Sequence, residues 1–312
     1  MKKLFFFAAA ASVMLAACSS DNEEATVAEK SAIRLSTQSL TGMTRAAQNL
    51  QLTQFDANEN VSIFLVENVG GTQTPSGTNV TSYSNPLAYR TGASGALNPA
   101  APQFWPQDGN GLFIFGVYPA SAVTPSTAYN ATGISFSVAA NQSTDANYKA
   151  SDLMTGTAAN PVIRTTAAVP MTFTHLLTKV DVNLTAGDGF TDTQMADAVV
   201  SILGTKPTTT FNVQDDIVGA ASGDATTITA GTGAANSAII VPQTIVAGAS
   251  FIKVTVGGGD YIYKMGAATT FDAKKCYTFN ITVNKTGLVL TVTTITDWVS
   301  AGPDVDGNAT LQ

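Results

Sequence analysis

The chain reads as an all-β protein built from two β-sandwich domains, and three observations carry that reading. From about residue 50, short runs rich in β-branched and aromatic residues alternate with clusters of Gly, Pro, Ser and Asn, which is the pattern of sheet sandwiches. The length of 312 residues is enough for two domains of ordinary size. Hydrophobic residues make up 45% of the chain and charged ones 12%, so its surface is Thr, Ser, Asn and Gly rather than ion pairs, as suits an exported β protein.

The N-terminus supports export. Lys2 and Lys3 precede an apolar run over residues 4–15, a positive region and a short apolar region too brief to span a bilayer and stop there. Leu15-Ala16-Ala17-Cys18 follows and looks like a bacterial lipobox, in which an acyl lipid joins the Cys18 thiol and the chain is cut just before it. The competing reading is an ordinary secretory signal with a chance cysteine. Agreement at four positions and in the flanks favours the lipobox. Residues 1–18 are thus a lipoprotein signal, and the rest is an exported passenger tethered to a membrane through Cys18. After Leu15 no apolar run reaches the roughly 18–20 residues of a membrane helix.

Charge and cysteine content narrow the function. Net charge is −7 and no Lys/Arg cluster exists outside the signal, which argues against nucleic acid as a partner. The cysteines are Cys18 and Cys276. With Cys18 carrying lipid, Cys276 has no partner in the chain, so core burial must stabilise the fold without a disulfide. Cys276 itself reads as a small buried apolar residue.

Residues 19–45 divide into a spacer and a first strand. Residues 19–30 are polar and acidic without apolar periodicity and read as a flexible spacer. The acidic cluster Asp21, Glu23 and Glu24 is similar to surface-export signals of lipoproteins, or is simply a soluble linker. Ile33 and Leu35 alternate with Arg34 and Ser36, a period-two signal over residues 33–40. A small-residue segment over 41–47 then carries Arg45, the only Lys or Arg between Arg34 and Arg90. Loops of this kind are where proteases cut; a solvated linker arginine is the alternative.

Strand-like runs then follow at 61–66, 111–118 and 134–138. The clearest covers 170–184, where Leu176, Thr178, Val180, Val182 and Leu184 share one face and Lys179, Asp181 and Asn183 take the other. Met171 and Phe173 have the opposite parity, so a bulge or bend near His175 is expected. The domain boundary is placed close to Pro170, giving domains 46–169 and 170–312. One weak helix pattern spans 191–203. Further strands are expected at 237–242, 251–256, 261–264, 277–283 and 288–295, with Gly257-Gly258-Gly259-Asp260 as a hairpin turn. In the tail, Val305, Ala309 and Leu311 share parity, with Gly307 in the gap. The tail is either a last edge strand or an extended segment for another molecule's groove.

No catalytic constellation emerges, and the chain is read as a non-enzyme with no cofactor or metal. His175 is the only histidine; beside Phe173, Leu176 and Leu177 it reads as a hydrogen-bonded structural residue. No cysteine or second histidine joins it at metal-ligand spacing, and no Gly-x-Ser-x-Gly elbow occurs. Asp304, Asp306 and Asn308 vaguely resemble a calcium loop, but the glycine comes too early and no bidentate Glu follows.

Taken together, several motifs resemble the fimbrillin family, the pilin-type surface lipoproteins of type V pili in Bacteroidales. They are the lipobox ending at Cys18, Thr44-Arg45-Ala46, Phe115-Gly116-Val117-Tyr118-Pro119, Asp152-Leu153-Met154, and the run from Phe173 to Val180. Ile240-Val241-Pro242-Gln243-Thr244, Tyr277-Thr278-Phe279-Asn280-Ile281-Thr282-Val283 and Ile295-Thr296-Asp297-Trp298 complete the set. Cys276 departs from the pattern, where Gly is expected before the Tyr. The resemblance implies two tandem domains of transthyretin-like topology and an outer-membrane lipoprotein precursor. It further implies a trypsin-like protease that cuts between Arg45 and Ala46 and removes the first strand with its lipid. The vacated groove would accept a C-terminal strand from another copy or a related subunit, with Val305, Ala309 and Leu311 facing the groove. The mature protein would then be a structural pilin subunit of a surface fimbria that supports adhesion. Rival readings are a lipid-anchored accessory or tip subunit, and a glycan-binding surface lipoprotein. Exposed aromatics would favour the second rival, but Trp105 and Trp298 both lie in pattern positions expected of core or joint.

Overall fold

In a computed structural model, residues 30–37, 55–75, 80–82 and 86–298 are described. Cys18, the Arg45-Ala46 bond, and the tail with Val305, Ala309 and Leu311 lie outside the described residues.

The runs of β-branched and aromatic residues form strands, and the fold is all-β. The first half contains β1 (Leu35–Thr37), β2 (Asn60–Asn68), β3 (Val80–Ser82), β4 (Leu87–Thr91), β5 (Ala96–Pro99), β6 (Gly111–Tyr118) and β7 (Ile134–Ser137). Helix α1 (Asp145–Ala150), β8 (Met154–Ala158), β9 (Val169–His175) and β10 (Thr178–Ala186) follow. After α2 (Asp192–Ala196) come β11 (Val199–Thr205), β12 (Thr208–Phe211), β13 (Thr226–Thr232), β14 (Ala235–Ile240) and β15 (Gln243–Ile245). The last strands are β16 (Ser250–Val256), β17 (Gly259–Lys264), β18 (Thr269–Phe271), β19 (Lys275–Asn284) and β20 (Gly287–Asp297).

The first sheet has eight strands in the order β3-β2-β4-β5-β1-β9-β8-β6, and β2 also pairs with β6. That extra pairing closes the sheet into a ring. Inside it pack Val61, Ile63 and Leu65 of β2 with Leu112 and Ile114 of β6, Met171 and Phe173 of β9, and Ile33 and Leu35. The opposite faces of β2 and β6, including Phe64, Val66, Phe113, Phe115 and Val117, join a second core that extends through the rest of the chain. Both strands are therefore buried on both faces, and both read as near-continuous apolar runs rather than alternating ones.

The second core is lined by two four-stranded sheets, β14-β10-β19-β20 and β13-β11-β16-β17. The first-half strand β7 pairs antiparallel with β12. Gln142 is buried, and its amide donates to the Ile239 carbonyl and accepts from the Ile239 amide at 2.8 and 2.7 Å, so a side chain caps the outer edge of β14.

Several expectations are corrected or refined. Pro170, where the domain boundary was placed, sits inside β9 and pairs with Ser36. The chain changes sheet at Leu176 and Leu177, two consecutive buried residues that invert the face parity; this step is the bend expected near His175. Lys179 does not face solvent. It is buried and pairs with Asp181 at 3.1 Å. The helix expected over 191–203 stops at Ala196, because Val199, Val200 and Ile202 are β-branched and become β11 between β13 and β16. Its start is strong: Thr191 and Gln194 form a capping box. The 257–260 hairpin forms as expected, with Gly257 at φ 60 and Gly258 at φ 80, as a two-residue hairpin turn requires.

Gly116 of β6 and Gly156 of β8 are cross-strand partners, and the ring of Phe173 lies over both. A Cβ on Gly156 would meet Phe173 at 2.6 Å, and one on Gly116 would meet it at 2.7 Å. Gly156→Ala is expected to destabilise the protein by about 1–3 kcal/mol through overpacking, read from the urea midpoint. Combining it with Phe173→Leu should recover part of that loss, because the two changes share one contact.

Candidate functional site

Strand β1 fills the slot between β5 and β9 in the first sheet. It pairs antiparallel with β5, Leu35 opposite Leu97, and parallel with β9, Leu35 opposite Val169 and Thr37 opposite Met171. The amide of Ile33 donates to the Gln103 carbonyl at 2.8 Å, and the Arg34 carbonyl accepts from Val169 at 2.8 Å. Ile33, Leu35 and Thr37 are buried while Arg34 is exposed, the alternation that sequence periodicity indicated. Trp105 is buried against this strand, and its backbone amide donates to the Ser31 carbonyl at 2.9 Å.

Phe55 packs in the same interior, its ring meeting Tyr118 and Phe173 edge-on at centroid distances of 5.1 and 5.0 Å. Just after it, Lys149 of α1 reaches Asp56 at 2.7 Å and Glu59 at 2.8 Å, while the Tyr118 hydroxyl donates to Glu59 at 3.2 Å. This ion-pair node pins the start of β2 independently of β1.

A second cluster lies at the far end of β9. His175 Nδ1 is 2.7 Å from Asp152 Oδ1, and the side chains are 1% and 5% exposed. The imidazole stacks on the indole of Trp298 at 4.2 Å and 11°. Trp298 is 3% exposed and is held otherwise by its amide, which donates to the Lys274 carbonyl at 2.7 Å. His175 Nε2 and Trp298 Nε1 have no hydrogen-bond partner among the described residues. Tyr148 is buried nearby; burial, then the charges of Asp181 and Asp152, push its phenol well above its ordinary range.

Beside this cluster Asp181 accepts from Lys179 at 3.1 Å, from the Cys276 thiol at 3.2 Å, and from the Ser237 hydroxyl. Burial first, and then the Asp181 charge, push the Cys276 thiol up to about 12. Cys276 is thus the buried residue read from sequence, with a partner that sequence did not indicate. Its departure from the expected glycine costs no turn, since Cys276 lies in β19 opposite Thr296 and the left-handed residue is Lys274, at φ 64.

His175 has the buried, hydrogen-bonded setting that its apolar neighbours in sequence indicate. Its partners Asp152 and Trp298 are not legible in sequence, because their convergence crosses two sheets and leaves no local signal. No group of three or more His, Cys, Asp or Glu among the described residues is arranged to hold a metal ion. No helix among them is long and apolar enough to cross a membrane.

These features define an all-β protein organised around a strand slot and an anchored final tryptophan, with no converging reactive groups among the described residues. The chain belongs to the fimbrillin-like family, which its residues 44–298 match. Among solved structures it is similar to a candidate cell adhesion protein from Bacteroides uniformis, at 20% identity and a TM-score of 0.63 over 87% of this chain and 98% of that one. A candidate cell adhesion protein from Bacteroides ovatus is similar at 16% identity and a TM-score of 0.64, again over 87% and 98%. These likenesses establish the fold. No curated protein matches the sequence.

Two outcomes follow from the His175 and Cys276 environments. Asp152→Ala should cost about 1–3 kcal/mol by leaving a buried imidazole donor unpaired, measured by chemical denaturation. In a Cys18→Ser chain at pH 8, Cys276 should resist a thiol-labelling reagent while folded and react promptly in denaturant, because the thiolate is the reactive form.

Proposed function

We propose that the chain is a structural pilin subunit of a cell-surface fimbria that supports adhesion. It is exported as an outer-membrane lipoprotein through Cys18 and cut between Arg45 and Ala46 by a trypsin-like protease. It then polymerises by donor-strand exchange with copies of itself or related subunits. The observation that carries this reading is β1: a three-residue strand, upstream of Arg45, that bridges β5 and β9 and is the one strand to do so among the described residues. Losing it would open two strand edges and an apolar slot. Membership of the fimbrillin-like family supports assembly into a fimbria. The closed first sheet and the paired four-stranded sheets support two tandem domains of transthyretin-like topology, with the handover at Leu176 and Leu177 rather than at Pro170. The role is structural rather than enzymatic.

The energetics permit exchange. Ile33 and Leu35 forfeit roughly 1.5–3 kcal/mol each when they leave, and Val305, Ala309 and Leu311 of an incoming tail recover comparable burial with a new main-chain ladder. Head-to-tail insertion does not close on itself, so it grows a fibre. The stretch from Cys18 to Lys30, before the docked segment, is 30 − 18 = 12 residues and reaches up to roughly 40 Å when extended, enough to hold the folded body off the membrane surface. Trp105 and Trp298 are both buried, so neither offers a platform for a sugar ring.

Arg45→Ala is expected to leave full-length monomers on the cell. Deleting residues 303–312 should leave a folded, cleaved protein that forms no ladder on an unboiled gel; a ladder from that deletion would place the donor strand elsewhere. Arg34 should be spared when Arg45 is cut, because its carbonyl is held in the β1–β9 ladder and proteases need a locally unfolded segment. Mass spectrometry of trypsin-limited digests separates the two sites.

A further inference from the structure

We propose that β9 couples the β1 slot to the seat of Trp298, so that departure of the first strand loosens the base of the C-terminal tail. The inference rests on the reading above only in taking β1 as the strand that leaves.

The geometry places both ends on one short rod. β9 runs from Val169 to His175, roughly 20 Å at strand rise. Its first three residues carry the β1 ladder, and its last carries the indole of Trp298. Val169, Met171, Phe173 and His175 are alternate residues, all buried, so one face of one strand reaches from the slot to the tryptophan. With β1 in place, the first half of β9 has a partner on its β1 edge, and β8 holds the other edge down to Met154 opposite His175. Without β1, Val169 and Pro170 lose the only strand that pairs with them among the described residues, since β8 begins its ladder at Met171, and a segment without a ladder opens at lower cost than a paired one.

The seat of Trp298 is built to respond. Stacking on His175, burial and one backbone hydrogen bond hold it, and its indole N–H has no partner among the described residues. A stack depends steeply on separation, so a fraction of an ångström at His175 forfeits much of it. Asp152 fixes the imidazole at 2.7 Å, which makes His175 and Asp152 positioning residues for Trp298. Two states follow: slot filled with Trp298 seated, and slot empty with Trp298 released. The consequence is order in assembly, because a subunit still carrying its own first strand keeps the base of its tail held.

Coupling between binding equilibria is reciprocal, so it can be read from both ends in the full chain. Labelling with 5-fluorotryptophan gives fluorine resonances for Trp105 and Trp298, the latter identified by its loss in Trp298→Phe. Leu35→Asp, which expels β1 without cleavage, should move the Trp298 resonance to a solvent-exposed position. Adding a synthetic peptide of residues 30–40 to the protein cut at Arg45 should return it. Conversely, Trp298→Ala should raise the rate of tryptic cleavage at Arg34 roughly tenfold, within the usual range of coupling, and His175→Gln should do the same. Circular dichroism confirms that each variant remains folded. A Trp298 resonance unchanged by peptide addition, or an Arg34 cleavage rate unchanged by Trp298→Ala, would overturn the coupling. Neither readout involves polymer. A tail deletion that still forms ladders would sink the donor assignment and leave these results standing.

Discussion

The structure depends on the closure of its first sheet. A ring of strands has no free edge, and closure here is completed by a three-residue segment rather than a long strand. β1 must satisfy β5 on one side and β9 on the other, antiparallel to the first and parallel to the second. That mixed pairing specifies the register: a shift by one residue would turn Ile33 and Leu35 outward and Arg34 inward. The position therefore has a direction as well as a width, and on the proposed reading a strand that replaced β1 would run parallel to β9.

Closure also explains the composition of β2 and β6. A strand in a ring with solvent outside would alternate. These two have a second core against their outer faces, and Phe64 and Phe115 face it as Ile63 and Ile114 face the ring interior. Small residues appear where the ring is crowded: Gly116 and Gly156 are present because Phe173 occupies the space their side chains would take.

Strand positions with one buried face were legible in the sequence, because period two is a local signal. The run at 277–283 became a strand of this kind, those at 61–66 and 111–118 became strands buried on both faces and were legible as continuous apolar runs, and the 257–260 turn formed with the backbone angles its glycines permit. The 191–203 segment misled because its apolar spacing fits a helix while its β-branched residues fit a strand, and the two neighbouring strands settled the matter. Lys179 misled because alternation assigns a face but not a cover: its face is the outer one of β10, and that face is occupied. The His175 cluster was half legible. The histidine's apolar neighbours marked it as buried, but Asp152 and Trp298 reach it only through tertiary structure. Ring closure was not legible, since pairing of β2 with β6 and of β1 with β9 joins segments far apart in sequence.

On the proposed reading, the division between the two cores is what would let β1 leave without loss of the rest of the fold. Ile33 and Leu35 belong to the ring interior and not to the larger core. The larger core holds the inner faces of β10, β11, β16 and β19, and none of its residues touches the removable segment in sequence. The start of β2 is secured separately by Lys149 with Asp56 and Glu59, and the second half of β9 by β8. On the proposed reading, loss of β1 removes two apolar side chains and two ladders, those with β5 and β9, from a structure whose larger core is anchored elsewhere. A chain with one undivided core would lose cooperativity on such a cut; this one would lose the occupant of a slot, and β9, whose first residues pair with no other strand among the described residues, would be the element that registers the change.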